Sequence, residues 1–558
     1  MMEHHGANGP QRVNLVIDNI NVTAPAGSTI LEAAKSSGVT IPTLCNFKGL
    51  LPRAVCRLCV VELDGAGRLK PACATEVYEG AKVVTNSLEL HNLRKTIVEL
   101  LLDNHPDDCL VCPRNLGCEL QTLALNLGIT RLHFTERAPV QLYHDGKTLV
   151  RDMERCVKCG RCVSVCQNIL KVQALTASQR SWHYEIAAPF RTLLSQGPCV
   201  YCGSCISVCP VGAIYEKDDC QALLEALDNE DITVSGSFSR EVLVGLEAAL
   251  GYGQNSLKEE NLSAALRRLG FTRIYPREFF LSLSALGEAF ILREKIEKKE
   301  GVISLCSLSI MGFFKEYYPN AVPLISQVPR AQELLAAACN GERELSSSIL
   351  PCVSQKYAAH LLNNDGRPAA NFNLTTSELI RIFKLISFNL TELPLSPLDI
   401  PTRGAFRASE LKEDTSHGMV VTDEILYLAK AIYFLSQLGE SGRAPGGISE
   451  GIFTLPISLG GKEIELNMCF GMAAAIKLLD AMGKGAEFNY IKIFSCPNGC
   501  RQGGGQAREY LKGVFPKDYL KPRELIVPID SYGLFPLPEL PWQKEAIAAF
   551  SDYFPVGR

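Results

Sequence analysis

Cys156-Val157-Lys158-Cys159-Gly160-Arg161-Cys162-Val163-Ser164-Val165-Cys166 is followed by Cys199-Val200-Tyr201-Cys202-Gly203-Ser204-Cys205-Ile206-Ser207-Val208-Cys209-Pro210, so one pattern of four cysteines is written twice. Three thiolates at Cys-x2-Cys-x2-Cys spacing wrap a short turn around one face of a cubane iron–sulfur cluster, and a fourth, three residues on, points to the neighbouring cluster. Cys209 is therefore expected to close the set of Cys156, Cys159 and Cys162, and Cys166 that of Cys199, Cys202 and Cys205. Gly160 and Gly203 permit the tight backbone turn beside each cluster. Structural zinc or a disulfide framework would show other spacings. One departure stands out: Gln167 occupies the place that Pro210 takes in the second copy.

The rest of the composition fits a cofactor-rich chain. Its 558 residues exceed what one core supports and predict about three to five domains. With 60 acidic and 56 basic residues the net charge is −4, and no basic run with interleaved aromatics suggests nucleic acid. No apolar run suits a signal peptide or a bilayer span, so a cytosolic protein is expected. There, 22 cysteines make sense as metal ligands, because cytosolic disulfides are rare. His4 and His5 read as tail residues.

Upstream, residues 12–25 read as a hairpin turning at Asp18-Asn19, and Thr29-Ile30-Leu31-Glu32 as a capping box opening a helix through about Lys35. Cys45, Cys56, Cys59 and Cys73 follow, with strand-like Cys59–Leu63 between the last two. Four cysteines after a hairpin and a helix look like a [2Fe–2S] ferredoxin of the β-grasp type, with structural zinc as the alternative. A helix from Leu88 to Asp103 then delivers His105, Cys109, Cys112 and Cys118, a candidate cubane with one imidazole ligand. Neutral imidazole in place of a thiolate makes that cluster less anionic and easier to reduce. Strands are expected around Leu132-His133-Phe134, with a turn at Asp145-Gly146-Lys147.

This order resembles two families, the iron–sulfur subunit of respiratory complex I and the long [FeFe]-hydrogenases. Three later stretches favour the second. The hydrogenase Thr-Ser-Cys-Cys-Pro-x-Trp, which precedes a Phe-Phe…Tyr-Tyr-Pro run, is matched by Ser304–Ile310 before Phe313–Pro319. Met-Pro-Cys-x-x-Lys-x-x-Glu is matched by Leu350–Ala358, and the glycine-rich double-cysteine motif by Phe494–Gln506. The last contains Cys496, Cys500 and Gly503-Gly504-Gly505. A phosphate-binding loop is the weaker reading of those glycines, because no Lys-Ser/Thr follows.

The resemblance also shows what is missing. The position of the family's fourth cubane ligand is Ser307, and Cys306 stands at the proton-relay position. The lysine that contacts a cyanide of the di-iron unit is matched by Gln355, the glutamate closing that motif by Ala358, and a methionine beside the unit by Phe494. Gly236-Ser237-Phe238-Ser239-Arg240 stands for Ala-Pro-Ala-x-Arg, and Ser416–Val420 for a glycine-rich helix start. Cys352, Cys496 and Cys500 remain, and with Cys306 or Ser307 they could hold a further [4Fe–4S] cluster or be relics on a metal-free scaffold. Cys220, Cys339 and Cys469 lack spaced partners and read as core residues.

An α+β multidomain chain is therefore expected: a [2Fe–2S] ferredoxin-like domain at 1–85, a His-ligated [4Fe–4S] domain at 86–135, a two-[4Fe–4S] ferredoxin-like domain at 136–218, and a large α/β [FeFe]-hydrogenase-like domain at 219–558 with a degenerate site and no di-iron hydrogen cluster. No nucleotide or flavin fingerprint is visible, which puts FMN or FAD and NAD(P) on partner subunits. The resemblance, strongest to the Sporomusa-type electron-bifurcating transhydrogenases, implies an iron–sulfur electron-transfer subunit serving NADH, ferredoxin and NADP. Its implied partners are a flavin-containing NADH-oxidising subunit, a small thioredoxin-like [2Fe–2S] subunit, a second flavoprotein binding NADP, and ferredoxin. The alternatives are an active or atypical hydrogenase, a subunit wired to a formate dehydrogenase, and a redox sensor.

Overall fold

The computed structural model of the chain describes residues 11–130, 142–361, 371–399, 423–441 and 451–507, apart from positions 66, 146–147, 340, 342, 460–461, 498 and 501–502. The expected strand at Leu132–Phe134, most of the turn at Asp145–Lys147, the Ser416–Val420 stretch and the tail histidines lie outside the described residues.

Strands Arg12–Ile17 and Ile20–Pro25 pair antiparallel with Ile17 opposite Ile20, and Asp18 and Asn19 make the two-residue turn with positive φ. That turn geometry matches the twist of the flanking strands, and Asn and Asp tolerate it better than other side chains. The Thr29 hydroxyl accepts from the Glu32 N–H and the Glu32 carboxylate accepts from the Thr29 N–H, closing the capping box of helix Ile30–Ser36. Lys82–Val84 joins Arg12–Ile17 in parallel, and Val60–Leu63 and Leu69–Pro71 complete a five-stranded mixed sheet. Ile30, Ala33 and Ala34 pack against Val13, Leu15, Ile17 and Val61 beneath it.

Helix Leu88–Asp103 leans on this unit through Arg94, a buried residue whose guanidinium donates to the Leu58 and Val60 carbonyls at 3.1 and 2.7 Å. Helix Glu119–Asn126 follows, capped by Cys118. Strands Leu142–Asp145, Leu149–Asp152 and Ile214–Glu216 then form a small sheet under the doubled cysteine run. Gly160 and Gly203 take positive φ at the start of helices Arg161–Ser164 and Ser204–Val208. Gln167 now has a physical meaning. In the second copy the helix stops at Val208, before Cys209 and Pro210, whereas in the first it runs on as a π-turn, Val165–Ile169, that carries Cys166. A strand ribbon, Thr176–Ser178 with Glu185–Ala187, fills the interval between copies and has no counterpart in the expectations.

The large domain carries two four-stranded sheets. One is parallel, in the order Arg273–Pro276, Thr233–Phe238, Glu344–Leu350, Phe372–Thr375. The other runs Val302–Leu305, Tyr490–Phe494, Lys462–Phe470, Ile452–Leu459, with only the last pair antiparallel. Loops at the carboxyl ends of parallel strands are where such sheets place their ligands. Cys306, Cys352 and Cys496 each follow a strand end there.

Two junctions fix the modules to one another. Buried Arg161 makes a bidentate pair with Glu119 at 2.8 and 2.9 Å, donates to the Asn46 and Val208 carbonyls, and lies over the Phe47 ring, so one side chain touches three modules. At the other junction Tyr201 stacks on Tyr357 with ring centroids 3.7 Å apart, and the Ser309 hydroxyl donates to the Val200 carbonyl at 2.9 Å. There the Gly504 N–H donates to the Cys202 carbonyl at 3.3 Å. A methyl group on Gly504 would run into the Gly203 backbone, and one on Gly503 into the Pro351 carbonyl. The glycine run is thus a close-approach surface.

Arg161→Met should destabilise the assembled chain by about 3 kcal/mol, the low end for breaking a buried ion pair because Glu119 keeps some contact with water. Hydrogen exchange should quicken at residues 44–50 and 119–126, and unchanged exchange there would mean that Arg161 does not hold the modules together. Gly504→Ala should destabilise by about 1–3 kcal/mol through overpacking. The loosening should be local to residues 200–205 and 500–507, read by the same exchange measurement.

Candidate metal centres

Cysteines are placed in groups, and the groups follow the spacing. Cys156, Cys159, Cys162 and Cys209 line one cavity, and Cys166, Cys199, Cys202 and Cys205 line a second, so the fourth cysteine of each copy does cross to the other set. Burial pushes the Cys156 thiol up to about 12 and the Cys159 and Cys166 thiols up to about 11, with neighbouring thiolates adding to each. Desolvated thiols at those values stay protonated until a metal displaces the protons. Both loops are also strained alike. Lys158 and Tyr201, at equivalent positions between the first two cysteines, adopt positive φ, a conformation worth about 1–3 kcal/mol that persists only where the surroundings enforce it.

Cys45, Cys56, Cys59 and Cys73 form the first group. The Cys45 N–H donates to the Cys56 sulfur at 3.4 Å. A thiol–thiolate hydrogen bond pulls Cys56 down and pushes Cys45 up, and a second does the same for Cys59 and Cys73. Cys73 feels the charge of the other three, and Cys59 that of Cys56.

His105, Cys109, Cys112 and Cys118 share the loop between helices Leu88–Asp103 and Glu119–Asn126. His105 is buried and its backbone N–H donates to the Leu102 carbonyl at 3.0 Å. The Cys112 N–H donates to the Cys109 carbonyl at 3.1 Å, and the Cys112 sulfur accepts from the Arg114 N–H at 3.4 Å. Arg155 grips Asp108 with both terminal nitrogens and Asp152 through Nε at 2.7 Å, fastening this loop to the start of the doubled run. The Arg155 hydrogen bonds hold the Asp108 carboxyl below the usual range.

The fifth group is C-terminal. Cys352, Cys496 and Cys500 are buried, and Cys352 is held below the usual thiol value first by a hydrogen bond from Cys500. Burial pushes Cys306 up to about 12, with the Cys352 charge next, and Cys496 feels Cys352, Cys202 and Cys306. Ser307 is engaged elsewhere: its hydroxyl donates to the Ser354 carbonyl at 2.8 Å and accepts from the Ser309 N–H. Of the two candidates for a fourth ligand, Cys306 is the one that joins the thiols. Asn498, Arg501 and Gln502 of this motif lie outside the described residues.

The groups are too open for single ions. Tetrahedral zinc, with Zn–S near 2.3 Å, would draw its sulfurs to within about 3.8 Å of each other. Among the described residues, the only three metal-binding side chains converging within 4.8 Å are Asp218, Cys220 and Glu378, and Lys356 already occupies that spot by pairing with Glu378. The two quartets of the doubled run line cavities that fit clusters instead. Cys339 and Cys469 are buried in apolar packing, as core cysteines would be, while Cys220 is half-buried at the start of helix Cys220–Asp228.

The groups also form a series. Cys56, Cys118, Cys156 and Cys209 meet around one apolar cluster with Leu44, Leu58 and Val98, which brings the first three groups together. The two cavities of the doubled run share the Cys162 and Cys205 neighbourhood. From there the Cys496 sulfur lies 3.9 Å from the Cys202 carbonyl, reaching the fifth group. Sequence reasoning had no means to find Arg94, Arg155 and Arg161, because a lone arginine carries no spacing signal.

Comparison with known proteins adds independent findings. Residues 233–504 match the C-terminal domain of the iron-only hydrogenase large subunit. Residues 10–87 match a 2Fe-2S iron-sulfur cluster binding domain, 94–133 the NADH-ubiquinone oxidoreductase-G iron-sulfur binding region, and 146–215 the ferredoxin-like domain of NADH-quinone oxidoreductase subunit 3. The chain is 30% identical over 525 residues to the NADP-reducing hydrogenase subunit HndD of Solidesulfovibrio fructosivorans, covering 88% of each. It is 25% identical over 530 residues to iron hydrogenase 1 of Clostridium pasteurianum, covering 91% of this chain and 90% of that one. Its front third is 39% identical over 171 residues to the NADPH-Fe(3+) oxidoreductase subunit alpha of Geobacter sulfurreducens, which is 30% of this chain and 20% of that one. The domain order and the full-length likeness lead to one conclusion: the chain belongs to the family of iron-only hydrogenase large subunits with complex-I-like iron–sulfur domains at the front.

Proposed function

We propose that this chain is the iron–sulfur electron-transfer subunit of a flavin-based electron-bifurcating complex, working among NADH, ferredoxin and NADP through partner flavoproteins, and that it makes no hydrogen itself. One observation carries the reading: a series of thiol groups leads to a C-terminal group that keeps its cysteines but not the side chains that would orient a di-iron unit. Ser307 is turned away to Ser354, Gln355 stands where the family has lysine, and Ala358 where it has glutamate.

The ligand assignment follows the groups. Cys45, Cys56, Cys59 and Cys73 would hold a [2Fe–2S] cluster in a β-grasp unit at 1–85. His105, Cys109, Cys112 and Cys118 would hold a [4Fe–4S] cluster at 86–135, and the two crossed quartets two more at 136–218. Cys306, Cys352, Cys496 and Cys500 would hold a fourth cubane within 219–558. Bound clusters supply one-electron transfer. The chain's own part is to exclude water, hold the thiolates and fix the groups edge to edge, which Arg94, Arg155 and Arg161 do with charge-assisted hydrogen bonds. FMN or FAD and NAD(P) would sit on the partners: an NADH-oxidising flavoprotein, a small thioredoxin-like [2Fe–2S] subunit and an NADP-binding flavoprotein. That the relatives' names describe NADP- and NADPH-linked subunits supports this division of labour. No described helix is long and apolar enough to cross a membrane.

After anaerobic reconstitution the full chain should bind about 18 irons and a chain ending near residue 215 about 14, the sums for one [2Fe–2S] with four or three cubanes. Equal iron in both would remove the C-terminal cluster. His105→Cys should keep its cluster but lower its potential, since an anionic ligand replaces a neutral one. An unshifted midpoint in an EPR-monitored redox titration would demote His105 to a bystander. Gas chromatography should find no hydrogen from reduced viologen, even after exposure to hydrogenase maturation factors. Turnover, with cyanide and carbonyl bands in the infrared, would restore the hydrogenase reading.

A further inference from the structure

The ribbon that fills the interval between the two cysteine copies has two unlike sides. On the inner side Ile186 lines the cavity of the Cys156 quartet and Leu194 that of the Cys199 quartet. Ile186, Ala188 and Leu194 are buried in one apolar cluster with Cys162, Cys166 and Cys202. Between those inner contacts Phe190 faces outward, 98% exposed, and Leu193 beside it is 37% exposed. Four residues of chain span at most about 14 Å, so the Phe190 backbone lies within that distance of a residue lining either cavity.

A single exposed aromatic is ordinary on a protein surface. The backbone beneath this one is not. Phe190 sits at φ 57°, ψ 16° and Arg191 at φ 60°, two consecutive left-handed residues without a glycine's freedom. Bulky residues keep that conformation only where the surroundings enforce it, and such positions gather where ligands are held. Here the bracing is on the protein side: the Arg191 N–H donates to the Ala188 carbonyl at 3.0 Å, the Thr192 hydroxyl donates to the Pro189 carbonyl at 3.0 Å, and Arg191 Nε meets the Glu185 carboxylate at 2.6 Å. The turn is held firm while its ring is presented to solvent. Charge on the stretch is one-sided as well. From Leu170 to Pro198 the basic residues are Lys171, Arg180 and Arg191, and the acid is Glu185, which Arg191 engages. Lys171 and Arg180 are exposed.

We infer that Phe190 anchors a docking face for an acidic one-electron carrier protein, the ferredoxin of the proposed function, which delivers or collects its electron at the doubled run. This rests on the reading that the two crossed quartets hold [4Fe–4S] clusters and that the chain exchanges electrons with ferredoxin. An aromatic anchor among cations suits a partner surface that presents carboxylates, because opposite charge steers the encounter and the ring supplies the contact. Electron-transfer encounters bury little area, so one anchor and a few cations are enough. The step itself is the passage of one electron: the reduced carrier is oxidised and a cluster of the doubled run is reduced, with no bond made or broken.

The test mixes the full chain, reconstituted anaerobically with iron and sulfide, with a photoreduced two-[4Fe–4S] ferredoxin in a stopped-flow instrument. Parent, Phe190→Gly, Phe190→Tyr and Arg180→Glu forms are compared. Glycine accepts the left-handed backbone, so Phe190→Gly removes the ring and leaves the turn in place. Its second-order rate constant should fall about tenfold, the worth of one hot-spot contact, with iron content and EPR midpoints at parent values. Phe190→Tyr, which keeps the ring, should retain about half of the parent rate or more. Arg180→Glu should slow the reaction and flatten its dependence on ionic strength. A parent rate in Phe190→Gly, or an unchanged salt dependence in Arg180→Glu, would overturn the proposal. Loss of iron in Phe190→Gly would assign the ring to holding the quartets and would overturn it too. So would a variant that keeps the ferredoxin rate but loses self-association or affinity for the NADH-oxidising flavoprotein, since the face would then belong to that occupant. A parent chain whose clusters reduced ferredoxin does not reduce would overturn the exchange reading along with the proposal.

Discussion

The structure depends on burying thiolates. Sulfur donors line its interior from Cys45 to Cys500, and burial, with neighbouring thiolates adding to it, drives several of them toward the neutral thiol, as at Cys156, Cys166 and Cys306. A fold built on protonated thiols around open cavities would forfeit packing, since a void leaves its lining without partner atoms. With metal bound the cavities fill and the thiolates gain their counter-charge, so folding and cluster insertion are expected to be one process. Buried arginines complete the arrangement. Arg161 joins three modules and Arg155 two, and each lies beside cluster-binding loops where positive charge offsets thiolate charge.

Residues that repeat at fixed spacing were legible from sequence, and residues that act singly were not. The doubled cysteine run announced its crossed quartets because three short intervals and one longer one can wrap a cluster in few ways. Asp18-Asn19 and Thr29…Glu32 announced a hairpin and a helix start because turn and cap chemistry is local. Nothing local marks Arg161, whose partners Asn46, Glu119 and Val208 come from three separate stretches. The left-handed Lys158 and Tyr201 were equally invisible, since neither residue type favours that conformation and the cluster loop imposes it. Gln167 was seen as an anomaly, but its consequence, a π-turn carrying Cys166, needed the structure.

The C-terminal domain sets its cysteines at strand ends and surrounds them with side chains other than those of its family's motifs. The parallel sheets deliver Cys306, Cys352 and Cys496 at strand ends, and glycines 503–505 let that loop press against the Cys202 turn. What changed are side chains that reach past the thiols. Ser307 caps its own turn, Gln355 bonds Arg277, and Ala358 reaches nothing charged. Losing one hydrogen bond to a charged group removes about 1.5–3 kcal/mol. Several such losses at one site leave little to hold a preorganised di-iron unit, while a thiolate quartet needs none of them.

The thiol groups are proposed to form one electron path ending in the C-terminal domain. Rapid-freeze EPR of the complex assembled with its NADH-oxidising flavoprotein, sampled after a pulse of NADH, tests it most directly. Signals from the front groups and from the C-terminal centre should rise within one turnover, and Gly504→Ala should slow only the last. Front-group signals that rise while the C-terminal centre stays oxidised would contradict it.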